Sequence, residues 1–276
     1  MEIRYTPDPG YFKMMDTQDI RDSFLVDQLF EEGEIYMVYY DVDRVIIGSA
    51  VPTTGELKLE AGEELRAEFF CQRREIGVLN IGGAGSITVD GDSYSMKKLD
   101  CLYIGMGSKD ITFSSENPGE PAKFYIISYP AHASYPTTHA KIADAEPVHL
   151  GSSKDCNERT IYKYIHPNGV KSCQLVMGCT LMAEGSVWNT MTAHTHERRS
   201  EVYLYFDVAP GHAVFHFMGE PGETRHVVIR DGQVTVSPSW SIHSGCGTSN
   251  YTFVWAMGGE NQAFTDMDGI DVDDMS

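Results

Sequence analysis

The segment HTHERRSEVY, residues 194–203, sets two histidines one residue apart and a glutamate five residues after the second. Side chains at i and i+2 of an extended chain project to one face, so His194 and His196 converge on a common point. Glu201 enters at the start of what reads as the next strand, and His243 closes the hairpin segment GQVTVSPSWSIH, residues 232–243. Three neutral imidazoles and one carboxylate give a divalent ion nitrogen and oxygen donors while leaving one or two positions open, the arrangement of catalytic more than of structural sites. An HxH pair on a strand is by itself usually a polar surface pair. The added glutamate and third histidine make it a metal site, and zinc, iron, manganese and nickel all accept such donors.

Strand parity extends the site. If Glu201 points inward, so do Tyr203 and Tyr205, and Thr192, Thr190 and Trp188 share the face of His194. Tyrosines inside a small barrel are normally core with satisfied hydroxyls, so substrate contact is the less common role for each. Basic residues stand out in an acidic chain: Lys163 and His166 in YKYIHP, Arg198 and Arg199 in HERRSE, Arg225 and His226 in ETRHVV. Singly these are most often surface charges. Together they allow a local cationic pocket for a carboxylate ligand, which a bidentate arginine fits well.

The elements that must position these residues read as β-structure. The chain has 276 residues, 42% hydrophobic and 22% charged, enough for one large or two ordinary domains. Within 1–45 the stretch DTQDIRDSFLVDQLFEE predicts a helix, capped by Asp16 or Thr17, with Ile20, Phe24, Leu25, Leu29 and Phe30 as its apolar stripe. From about Ile46 short runs of Val, Ile, Tyr, Phe and Thr alternate with Gly, Pro and Asp, as in an antiparallel sandwich or barrel. RREIGVLNIGGAG followed by LDCLYIGMGSKDITF parallels RRSEVYLYFDVAPG followed by DGQVTVSPSWSIHSG. Matching Glu75 to Glu201, and 105–107 to 238–240, predicts two copies of one barrel over 46–150 and 151–276. All ten histidines lie at or beyond His132, so the first copy has none to offer a metal; Glu68, Phe70 and Asp110 stand where the second has His194, His196 and His243.

Composition excludes several roles. A formal charge of −19 argues against nucleic acid and against an anionic membrane surface as partners. No apolar run reaches the roughly 20 residues of a bilayer span, and the opening MEIRYTPDPG has no secretory leader, so a cytoplasmic location is expected. The six cysteines are scattered without CxxC pairs, as expected of reduced thiols. Asp266, Asp268, Asp271, Asp273 and Asp274 crowd the end of the chain, which reads as a solvated acidic tail because no glutamate completes a calcium loop.

Gly185, the HxH pair, Glu201, Gly232, Pro238 and His243 follow the two cupin motifs, with Trp240 where glycine is usual. Beyond those motifs, IYKYIHPNG, CQLVMGCT, VWNTMTAHTHERRSEVY, GETRHVVI, SPSWSIHSGCGT and MGGENQAFTDMD resemble the 5-keto-4-deoxyuronate isomerases of bacterial pectin breakdown. The resemblance runs along essentially the whole chain, with Tyr162 a departure. It implies an all-β bicupin with a short N-terminal helix, one Zn2+ per subunit on His194, His196, Glu201 and His243, and a homohexamer. It also implies an aldose–ketose isomerase that converts 5-dehydro-4-deoxy-D-glucuronate to 3-deoxy-D-glycero-2,5-hexodiulosonate. On that reading His226, His166, Tyr203 or a metal-bound hydroxide is the base, unranked. Arg225 or Lys163 holds the substrate carboxylate, and Tyr205 and Trp240 are further contacts. The competing readings are another metal-dependent cupin enzyme, such as an oxygenase or a sugar isomerase or epimerase, and a non-catalytic sugar-binding cupin.

Overall fold

A computed structural model describes residues 1–263 and 265–276. Its chain divides into two compact units, one of Met1–Arg4, Leu29–Glu146 and Lys163–Met177, the other of Tyr5–Gln28, Pro147–Tyr162 and Gly178–Ser276. Each is a β-structure of a large and a small sheet, the layering that alternating apolar strands adopt when one face is buried.

In the first unit the large sheet runs Glu2–Arg4, Ile35–Tyr40, Ile46–Ala50, Phe124–Pro130, Arg74–Asn80, Cys101–Ile104, Thr138–Ala140. The small sheet runs Leu57–Lys58, Ile111–Ser115, Gly85–Val89, Asp92–Met96. Ile76, Val78, Leu102, Ile104, Phe124 and Ile126 fill the core between them. Glu75, one residue out of phase, faces the other way. That overturns its match to Glu201: Ile76 pairs with Ile104 as Glu201 pairs with Ser237, so an isoleucine stands at the carboxylate position in the first unit. Instead the fully buried Glu75 carboxylate accepts hydrogen bonds from the backbone N–H groups of Cys173 (2.7 Å), Gln174 (2.8 Å) and Leu175 (2.9 Å) and from the Tyr103 hydroxyl (2.8 Å). Gly77 on the same face lets this segment lie close, since a Cβ there would meet Met177 Sδ at 2.7 Å and Leu175 Cδ2 at 2.9 Å. Glu75→Ala strands three amides, that of Leu175 buried and those of Cys173 and Gln174 half-buried, at about 1–3 kcal/mol for each unsatisfied group. We expect at least about 3 kcal/mol of lost stability by denaturant unfolding, whereas a loss under 1 kcal/mol would show that the segment rearranges.

The second unit repeats the plan. Its large sheet runs Pro147–Leu150, Arg159–Ile165, Val176–Met182, Thr252–Gly259, Arg199–Phe206, Gln233–Ser237, Leu25–Val26, and its small sheet Trp188–Asn189, Ser244–Gly247, Val214–Glu220, Glu223–Ile229. The N-terminal helix is shorter than its apolar stripe suggests. It spans Thr17–Phe24, starting from a capping box between Asp16 and Asp19. Leu25 and Val26 then pair with Thr235 and Val234, because the edge of Gln233–Ser237 offers backbone hydrogen bonds together with burial. Trp240, the departure from the cupin motif, packs edge-on against Phe12 (5.3 Å) and Phe24 (6.3 Å), so it anchors the N-terminal segment. None of the described helices is long and apolar enough to cross a membrane. No disulfide forms among the described cysteines.

Candidate metal centre

Strand Arg199–Phe206 is paired on both sides, with Glu201 opposite Met257 and Ser237, which fixes the carboxylate pointing inward. His194–Thr195 forms a two-residue strand with Asp268–Gly269, bringing His194 and His196 alongside. His243 arrives from the turn after Gln233–Ser237, just before strand Ser244–Gly247. Ligand atoms of the four residues lie within 4.8 Å of one another. His194 Nε2 is 3.2 Å from His196 Nε2 and 3.0 Å from His243 Nε2, and Glu201 Oε2 is 2.7 Å from His243 Nε2 and 3.1 Å from His196 Nε2.

The donor set fits a cation. His196 Nδ1 donates to the Asp266 carbonyl at 2.7 Å, which turns the lone pair of its Nε2 toward the Glu201 carboxylate, an acceptor facing an acceptor. A positive ion at the centre resolves that repulsion, and donors held at roughly 2.0–2.2 Å from one ion lie about 3 Å or slightly more apart. Burial, then the neighbouring His243 imidazole, lowers His194 to about 3, leaving it neutral as a ligand must be. Burial works against ionising Glu201, but His243, 2.7 Å away, outweighs it and holds the carboxyl well below the usual carboxylate range.

His194, His196 and Glu201 of the cluster form one wall of a cavity of about 250 Å³, slightly under the roughly 300–1,000 Å³ of small-molecule pockets and suited to one monosaccharide. Tyr203 lines it as strand parity predicts; Thr190 and Thr192 line it together with Met191, from a stretch between strands where alternation does not apply, and Trp188 instead stacks on Phe217 (5.9 Å). The Tyr203 hydroxyl lies 2.9 Å from Thr190 Oγ1, and burial, then the Glu201 charge, pushes it well above the ordinary phenol range. Tyr205 lies deeper, its hydroxyl 2.8 Å from Nδ1 of buried His216. Burial, then His243, keeps His216 neutral, near 3.

Several expected residues stand elsewhere. Arg225 pairs with Glu223 at 2.8 Å, and the neighbouring exposed His226 packs its ring against Phe215. Lys163 and His166 belong to the first unit, and neither they nor Arg225, His226, Tyr205 or Trp240 lines the cavity. Half-buried Arg225 and exposed His226 on the edge strand Glu223–Ile229 have the composition of a binding site without its enclosure. Among the described residues the one arginine lining the cavity is Arg159, which sequence patterning does not single out. It is half-buried, donates from Nη1 to the Asn157 carbonyl (2.8 Å) and has no carboxylate partner among the described residues. The acidic tail also folds back. Asp266 accepts from His196 and from Arg199 Nη2 (3.0 Å) through its carbonyl, Met267 lines the cavity, and the Ile270 N–H donates to Ala193 O.

Comparison with known proteins agrees with this architecture. The KduI/IolB family model matches residues 24–273, and the chain belongs to that family. A 4-deoxy-L-threo-5-hexosulose-uronate ketol-isomerase of Lachnoclostridium phytofermentans is 57% identical over 275 residues, covering 100% of both chains. The protein of the same name from Caldicellulosiruptor bescii is 54% identical and covers 98% of each. Among solved structures, an IolB-like protein of Salmonella typhimurium superimposes with a TM-score of 0.70 at 12% identity, covering 90% of this chain and 97% of that one, a likeness of fold.

Proposed function

We propose that this chain is an aldose–ketose isomerase of uronate breakdown, interconverting 5-dehydro-4-deoxy-D-glucuronate and 3-deoxy-D-glycero-2,5-hexodiulosonate. The observation that carries the reading is a His3Glu cluster with His194, His196 and Glu201 on the wall of a monosaccharide-sized cavity, in a chain more than half identical along its full length to proteins named for that activity. One zinc per chain on His194, His196, Glu201 and His243, a homohexamer and a cytoplasmic location belong to the same reading. The three nitrogens and one oxygen of the cluster favour zinc over the oxygen-preferring magnesium or calcium.

The reaction moves hydrogen between adjacent carbons: the C2–H bond breaks, a C1–H bond forms, and the C2 hydroxyl becomes the carbonyl as the C1 aldehyde becomes an alcohol. A divalent ion held by His194, His196, Glu201 and His243 would supply Lewis acidity that lowers the cost of negative charge developing on the substrate oxygens. The chain's own residues do the rest. Phe253, Trp255, Met257 and Met267 present apolar walls that exclude water, and Thr180 fixes the Trp255 indole through a 3.1 Å hydrogen bond. Tyr203, a phenol that is protonated at neutral pH, donates to the substrate oxygen on which charge grows. Arg159, tethered by a backbone carbonyl that leaves its charge unneutralised, seats the substrate carboxylate in place of Arg225 or Lys163.

Anaerobic conversion of 4-deoxy-5-ketouronate, with metal measured on the same sample, tests the function. Turnover that a chelator abolishes and zinc restores is the expected result; bound metal without turnover would discard the substrate. Arg159→Met should raise KM roughly 10- to 100-fold, the worth of one charge-assisted contact, with metal content unchanged and kcat within a few-fold. An unchanged KM would remove Arg159 from the carboxylate seat.

A further inference from the structure

The first unit has a cavity of its own, and its chemistry is the reverse of the metal site. The register that sets Ile76 at the position of Glu201 sets Arg74 at that of Arg199, at the start of the strand. There a cavity of about 200 Å³ is lined by Arg44, Arg73 and Arg74, with Leu65, Phe70 and Pro130 among its apolar walls. Among the described residues no carboxylate pairs with any of the three arginines, although acidic side chains outnumber basic ones by 40 to 21.

Arg74 is the sharpest element. Only 7% of it is exposed, and arginine is rarely buried without an ionic partner. Its Nε donates to Ser128 Oγ (3.1 Å), and its Nη2 donates to the carbonyls of Ser128 (2.9 Å) and Arg44 (2.5 Å). Arg73 Nη2 is held in the same manner by the carbonyls of Leu65 (2.8 Å) and Arg66 (2.9 Å). Neutral carbonyls fix both guanidinium groups in place but cancel neither charge. Burial lowers Arg74 only to about 10, so the site stays cationic at neutral pH. Preorganised planar forks on a small, partly apolar cavity suit an oxyanion, whose lone pairs two or more N–H groups can meet at once.

We propose that this cavity is a second binding site, for a small metabolite bearing a carboxylate or phosphate group, and that it does not take part in the isomerisation. It is built in the unit that has isoleucine where the other has Glu201, so the two units would carry ligand sites of opposite charge.

Calorimetric titration of the metal-loaded full-length protein with inorganic phosphate and, separately, with succinate tests this. One anion of either kind should bind per chain. Phosphate binding alone points to phosphorylated ligands, and succinate binding alone to carboxylates. Arg44→Ala with Arg73→Ala, two exposed positions, should weaken that binding about tenfold or more while leaving turnover and metal content unchanged. Arg74→Met should abolish it, and because that variant removes a buried group the exposed pair carries the test if it does not fold. Absence of binding by both anions at millimolar concentration overturns the proposal, and so does an unchanged affinity in the double variant.

Discussion

His196→Ala is expected to leave a folded protein without bound metal and with turnover reduced at least about a thousandfold, the upper end of what one preorganised electrostatic stabiliser is worth. His196 does three things at once. Its Nε2 faces the cluster 3.1–3.2 Å from Glu201 and His194, its Nδ1 ties down the Asp266 carbonyl, and its ring stacks on His243 at 5.1 Å. Truncation removes a donor and releases the tail segment that covers the site, so added zinc should restore little. Metal content by mass spectrometry, set beside circular dichroism and the isomerase assay, separates loss of metal from loss of fold. Full occupancy with normal turnover would show that the ion binds elsewhere.

The cluster of His194, His196, Glu201 and His243 was legible because each residue obeys a local rule. His194 and His196 share a face by strand alternation, Glu201 lies one strand on, and His243 follows a turn whose Gly and Pro announce it. The same alternation explains the main error. Glu75 looks like Glu201 in a string of letters, but a one-residue shift in a strand sends a side chain to the opposite face. Only the pairing of Ile76 with Ile104 settles the register. The helix end had a similar ambiguity, since Leu25 and Val26 suit an apolar helical stripe and an edge strand equally, and the partner that decides is more than 200 residues away. Asp266 acts through its carbonyl, which every residue possesses, so no pattern of side chains could have marked it. Arg159 had no motif around it, whereas Arg225 and His226 stood in a conspicuous basic run on an edge strand. What distinguishes them is enclosure, a property of the fold and not of the local sequence.

The second large effect is expected from Tyr203→Phe: kcat should fall about 10²- to 10³-fold, as when a single hydrogen-bond donor to a developing charge is lost, with KM and metal content little changed. The substitution keeps the ring that packs on Phe253 (5.1 Å) and His243 (5.6 Å), so the core should hold its shape and only the hydroxyl goes. Thr190 Oγ1, 2.9 Å away, can orient that hydroxyl. A donor positioned this way interacts more strongly with an oxygen that is gaining charge than with the ground-state carbonyl, so its removal registers in kcat. Steady-state kinetics on matched zinc-loaded samples make the distinction. A raised KM with kcat intact would make Tyr203 a binding contact, and loss of metal would make it a support for the ligands. The Thr190→Val variant completes the test: if Thr190 aims the hydroxyl, kcat should fall by a smaller factor, and Thr190→Val combined with Tyr203→Phe should cost no more than Tyr203→Phe alone.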